Sequence, residues 1–172
     1  MKRRIFIGTA VIAVLMTFLV GYLATVRINN ASEHAIQQNL LTNAKIIAAE
    51  QDEASMRHAA DLVAEASGMN VTLILKDGTV WYRRPALASG SPEQNHLERE
   101  EVKQAFETGV GIAQRHSATM DRTMSYVAVA TEDGSMVVRM SIQVDDILAA
   151  NRQTAWEIFF LLTVCLAGLL VL

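Results

Sequence analysis

The chain holds a single cysteine, Cys165, in an apolar run. No intrachain disulfide can form, so no disulfide framework defines the fold and the redox compartment cannot be read from cysteines. Only two prolines occur, Pro85 and Pro92, and none interrupts residues 28 to 66. Positive charge is also scarce. The formal net charge is −3, which gives no basic footprint for a nucleic-acid partner. No paired His or Cys spacing of the metal-ligating kind is present, and no glycine-rich nucleotide loop. Catalytic residues are therefore not expected in this chain.

What is abundant is apolar sequence, 51% of 172 residues, enough for one domain of about 100–150 residues and some membrane-embedded length. Met1 to Arg4 is basic, and Ile5 to Val26 is uncharged. At ~1.5 Å per residue that stretch spans ~33 Å as a helix, enough to cross a bilayer. A cleaved signal peptide would have a shorter apolar region and a small-x-small cleavage site, which Leu23-Ala24-Thr25-Val26 does not supply. Three cationic side chains precede the span and one, Arg27, follows it, which places residues 1–4 in the cytoplasm and residues 27–156 outside. A second apolar run, Ile158 to Leu172, is fifteen residues long, short of the ~20 needed to cross. With Trp156 at an interfacial position, residues 157–172 read as the start of a second span that the chain is expected to continue. The expected protein is two-pass, in the cell membrane.

Between the spans, the pattern changes in order. Ile36, Leu40, Ala44 and Ile47 recur at helical spacing, and after Glu50-Gln51-Asp52-Glu53 a second stripe follows with Met56, Ala59, Ala60 and Val63. The first stripe has two possible uses, packing under its own sheet or packing against a second copy in a homodimer. Gly68 is placed to cap the second helix. Val71 to Lys76 and Thr79 to Arg83 alternate around Asp77-Gly78 and read as a hairpin. Pro85 to Asn95 reads as an irregular loop, and Leu97 to Thr108 as a short helix that Asn95 would cap. Strands follow over Ile112 to Ser117, around Met124 to Ala130, and from Met136 to Ile142, the last two separated by Glu132-Asp133-Gly134 and each expected to bury one face. The fold class is α+β, a five-stranded antiparallel sheet with long N-terminal helices on one side.

The runs Val71-Thr72-Leu73-Ile74-Leu75-Lys76-Asp77-Gly78-Thr79-Val80 and Asn95-His96-Leu97-Glu98-Arg99-Glu100-Glu101-Val102, then Gly109-Val110-Gly111, Arg115-His116-Ser117 and Met124 to Val129, carry a resemblance. Together they resemble the extracytoplasmic sensor domain of membrane histidine kinases of the phosphate-regulon type. The resemblance implies a PAS-like or Cache-like fold. It also implies, beyond Leu172, a HAMP linker, a helix bearing a phosphoacceptor histidine, and a domain binding ATP and Mg that would pass phosphate to a response regulator. His34, His58, His96 and His116 all lack the Glu and nearby Pro of that family's phosphoacceptor box, so this chain holds no cofactor and no kinase chemistry of its own. The alternative outputs are a chemoreceptor or a nucleotide cyclase, or a membrane-anchored interaction module.

His96 with Glu98, Glu100 and Glu101 reads as a solvated, charged junction rather than a metal site. The better ligand hypothesis is a set of arginines, Arg83, Arg84, Arg115 and Arg139, because guanidinium groups gathered on one sheet face recognise carboxylate or phosphate. Strand parity adds Trp81 beside Arg83. The competing reading is ordinary surface charge, since acidic side chains outnumber basic ones seventeen to twelve between residues 27 and 155. The stimulus, a small molecule or a protein, is not specified by any motif.

Overall fold

The computed structural model describes residues 2–84, 95–117 and 121–171. The irregular loop expected over Pro85 to Asn95 falls outside them except for Asn95. Helix α1 runs from Lys2 to Ala48 and α2 from Glu53 to Ser67, followed by strands β1 (Asn70–Leu75) and β2 (Val80–Arg84). Helix α3 (Glu100–Thr108) leads into β3 (Val110–Ser117), β4 (Arg122–Ala130) and β5 (Met136–Gln143), and α4 spans Asp145–Val171.

Residues 34–145 form one unit. Its first turn of sequence-encoded structure is the break between α1 and α2. There Asp52 adopts an extended conformation and its carboxylate accepts the backbone N–H groups of Ala54 and Ser55 at 3.0 and 2.9 Å, satisfying donors that a new helix leaves open. Gly68 ends α2 in the left-handed region with φ 67°, its N–H donating to Ala64 O, the geometry expected of a glycine cap.

The sheet is antiparallel throughout, in the order β2-β1-β5-β4-β3. One face, carrying Val71, Leu73, Val127, Val129, Val138 and Met140, packs with Leu40, Ala44 and Ile47 of α1 and Met56 and Ala60 of α2. The opposite face is covered too: Ala128 and Val137 pack with Ala105 and Phe106 of α3. Helices therefore lie on both sides, not on one. The reason is visible in the strands, because β4 and β5 carry small or branched apolar side chains at both parities, as strands buried on two faces do.

The stripe Ile36, Leu40, Ala44, Ile47 belongs to this core. Leu40, Ala44 and Ile47 have no exposed surface and Ile36 packs against them. Of the two expected uses of the stripe, packing under its own sheet is the one seen within this unit. With Cys165 replaced, an Ala44→Cys protein should resist thiol labelling in its folded state. Ile46→Cys, at a position 51% exposed, should label at once. Equal labelling of the two would overturn the assignment.

At the exit of the sheet, Thr123 of β4 makes two bonds to the start of α4. Its N–H donates to Asp145 Oδ2 at 2.7 Å, and its carbonyl accepts the N–H of Val144 at 3.0 Å. Val144 itself is buried.

Residues 1–33 and 146–172 form a second unit. Within it α1 and α4 touch through Phe18 and Phe159, whose ring centroids lie 4.2 Å apart, and through Asn151 Nδ2 donating to Ser32 Oγ at 2.9 Å. From Val11 onward α1 is long and apolar enough to cross a membrane, the one such helix among the described residues. Its apolar side chains, among them Leu15, Val20 and Tyr22, point outward, as they do where the surroundings are hydrocarbon.

Candidate functional site: an arginine face under helix α3

The sheet register aligns one row of residues across all five strands: Arg83, Thr72, Arg139, Ala128 and Gly111 are successive partners. Arg115 and Tyr126 share that face, one on β3 and one on β4. Three of the arginines singled out by sequence are thus brought to a single surface, the one covered by α3. Arg84, next along β2, points the other way and pairs with Asp61 at 3.2 Å.

Trp81 is on the other side as well. The pairing of β1 with β2 shifts between Leu73 and Ile74, so Tyr82 opposes Leu73 while Val80 opposes Ile74 and Trp81 is the extra residue. Such a bulge resets the alternation that parity relies on. Trp81 packs toward α2, where the Arg57 guanidinium lies 5.0 Å from its ring and 5.1 Å from that of Tyr82. It lines an open groove of about 400 Å³ with Glu53, His58 and Asp61.

The arginine face is organised by a residue the sequence pattern had assigned to solvent. Glu101 is fully buried. It receives Arg115 in a two-point contact, Nη1 to Oε2 at 2.6 Å and Nη2 to Oε1 at 3.0 Å, a geometry that combines charge with planar fit. Arg139 Nε lies 2.9 Å from Glu101 Oε1, but its N–H is not directed for a hydrogen bond, so opposite charge at short range holds this second contact. Tyr126 lies against both cations, with the Arg115 and Arg139 guanidinium carbons 4.1 and 4.4 Å from its ring centre, where the ring's negative face attracts them. Burial raises the Glu101 carboxyl, and the Arg115 hydrogen bonds with the Arg139 charge outweigh it, leaving it below the ordinary 4.5. For Arg139 burial wins, and it is pushed below its ordinary value against the pull of Glu101.

His96 completes the cluster. Its backbone N–H donates to Gly78 O at 2.9 Å and its carbonyl accepts from Arg99 N at 3.0 Å. The preceding Asn95 accepts the Leu97 N–H and donates to Asp77 O, both at 2.8 Å. Asn95 therefore ties this turn to the β1–β2 hairpin and does not cap α3, whose N-cap position is Arg99 with no side-chain cap bond. The buried His96 ring faces Arg83 Nη2 from Nε2 at 3.0 Å and Arg139 Nη1 from Nδ1 at 3.3 Å. Burial first, then the Arg139, Arg83 and Arg99 charges, hold its pKa down to about 4 despite Glu101. A metal ion at this histidine would meet two guanidinium groups. The ring is neutral near pH 7, and Glu101 is the one buried carboxylate among the described residues to set against Arg83, Arg115 and Arg139. Among the described residues no carboxylate lies within ion-pair distance of Arg83.

Glu101 and Tyr126 were not singled out by sequence, although a signal existed. Glu101 precedes Ala105 by four residues and so shares the apolar face of α3, and Tyr126 alternates with Ala128.

No protein-family profile matches the chain, and no curated protein matches it by sequence. Solved structures do match by fold. The ligand-binding domain of the Pseudomonas aeruginosa amino-acid chemoreceptor PctC, in complex with GABA, aligns with a TM-score of 0.56 at 16% identity over 81% of this chain. That of the Pseudomonas fluorescens chemoreceptor CtaA, in complex with L-isoleucine, aligns with a TM-score of 0.54 at 13% identity over 86%. The fold is Cache-like. The chain covers 64% and 62% of the length of those two domains, and in both cases the likeness is one of architecture, a five-stranded antiparallel sheet carried on a long N-terminal helix.

Proposed function

We propose that the chain is the extracytoplasmic sensing region of a membrane receptor, with residues 34–145 as a Cache-like domain that takes a small-molecule ligand at the arginine face. The observation that carries this reading is the unbalanced positive charge of Arg83, Arg115 and Arg139 around a single buried Glu101. Burying charge in excess of its partners is costly, and a fold that needed it only for packing would use apolar side chains. The solved structures of like fold support a small-molecule stimulus, being described in complex with GABA and L-isoleucine.

The output that the sequence resemblance favours is a histidine kinase. In that reading the protein is a two-pass homodimer, its ATP- and Mg-dependent catalytic part lies on the cytoplasmic side, and a response regulator receives the phosphate. A chemoreceptor output is the second reading, supported by the two solved domains belonging to chemoreceptors. Nothing in the fold favours the phosphate-regulon type of kinase over either.

Topology provides the test. Alkaline phosphatase fused after Gly134, in the β4–β5 turn, should be active, and the same enzyme fused before Ile5 should be inactive, because Lys2, Arg3 and Arg4 hold the N-terminus inside. The reverse pattern would place the Cache-like domain in the cytoplasm and end this reading.

A further inference from the structure

Building on the arginine face as the ligand site, we infer that an oxyanion without an ammonium group, a carboxylate or a phosphate- or sulfate-like group, binds between Arg83 and Arg139 together with a proton taken up by His96. A neutral imidazole has one acceptor nitrogen and one N–H. Here both ring nitrogens face arginine N–H groups, at 3.0 and 3.3 Å. The ring satisfies only one of them, and the other contact sets N–H against N–H. Arg139 is 8% exposed, so water does not readily relieve it, and its Nε also lacks a hydrogen-bond partner.

An anion lodged between the two guanidinium groups removes this conflict. It accepts the N–H groups that both arginines turn to the ring, which frees the imidazole lone pair, and its charge offsets the two cations that keep the ring neutral. A proton from solvent then adds to the free lone pair of the imidazole, and the imidazolium so formed donates from both nitrogens. Release of the anion returns that proton to water. The charged groups around His96 are Arg83 on β2, Arg139 on β5, and Arg99 and Glu101 at the start of α3. Glu101 is already shared between Arg115 and Arg139, so among these groups none is left to hold a ligand ammonium, and a free amino acid is a poor fit.

The linkage has a definite sign. His96 titrates at about 4 in the free protein and higher with the anion bound. Affinity therefore rises as pH falls from the ordinary histidine range toward 4, and levels off below it.

Sulfate is the probe, because it does not change charge between pH 5 and 7.5, and the full chain in lipid nanodiscs is the sample. Calorimetric titration should show sulfate binding at least about tenfold tighter at pH 5 than at pH 7.5, with a heat at pH 5 that varies with the ionisation enthalpy of the buffer. His96→Gln should bind sulfate equally at both pH values, and Arg83→Gln should weaken binding at both. Should His96→Gln fail to fold, the buffer dependence of the wild-type heat decides. Sulfate binding that ignores pH, or a pH dependence that survives His96→Gln, overturns the proton coupling and leaves the ligand face standing. Glycine binding in place of sulfate overturns the ligand class with the same face intact. Sulfate binding undiminished by Arg83→Gln moves the site elsewhere and removes both.

Discussion

Glu101→Ala is expected to destabilise the domain by about 3–5 kcal/mol, the range found when one partner of a buried ion pair is deleted and the other is left behind. Here two cations are left, Arg115 with 28% of its side chain exposed and Arg139 with 10%. Arg115 recovers hydration more readily, so the loss is governed by Arg139. Because the Glu101 carboxyl lies below its ordinary 4.5 in the folded chain, its contribution is complete above pH 4.5 and is lost as pH falls through the depressed value. Glu101→Gln keeps the shape without the charge. It should begin less stable at pH 7 and show a shallower fall in acid than the wild-type chain. Urea unfolding of the full chain followed by tryptophan fluorescence measures both. Equal acid slopes for the two proteins would remove Glu101 from the centre of the cluster.

Gly111→Ala should cost at least about 3 kcal/mol, the top of the usual range for overpacking. A Cβ at Gly111 would overlap the carbonyl group of Glu101 and press on the Gln104 Cβ. Backbone cannot swing aside as a side chain can, so α3 would have to lift from β3 and take Glu101 away from Arg115. Gly134→Ala is the comparison. That residue sits in the β4–β5 turn at φ 65° with nothing near the added carbon, so only backbone strain opposes it, about 1–2 kcal/mol. Melting temperatures of the two variants should fall in that order. The reverse order would mean that α3 does not approach β3 this closely.

Much of the fold was legible because each element carried its own local signal. The stripe in α1, the alternation in β1 and β5, Gly68 and the Asp77-Gly78 turn all act within a few residues of themselves. The face covered by α3 was less legible. Its cover is one short helix, and the apolar residues at both parities of β4 and β5 read as alternation with one strong face until a second layer is seen. Arg83, Arg115 and Arg139 were found by residue type, and their gathering onto one face depended on register, which five separate strand patterns do not state. Trp81 shows the limit of parity: one unpaired residue between Leu73 and Ile74's partners turned it to the opposite surface. Glu101 was misplaced because a run of three acids in four residues, Glu98, Glu100 and Glu101, resembles a solvated helix start, and only tertiary contact separates the one that is buried. The stripe of Ile36, Leu40, Ala44 and Ile47 satisfied two readings equally, and its packing under the sheet became visible only with the strands in place.

The bonds made by Thr123 have a mechanical consequence. With one residue, Val144, between β5 and α4, and with that residue and Asp145 both bonded back to Thr123, strand and helix are joined through a closed loop of hydrogen bonds. A free tether would absorb a small displacement in its own slack. This junction has no slack to take up, so a shift of β4 by a fraction of an ångström, at the strand that carries Tyr126 between its two arginines, moves Val144 and Asp145 by a comparable amount.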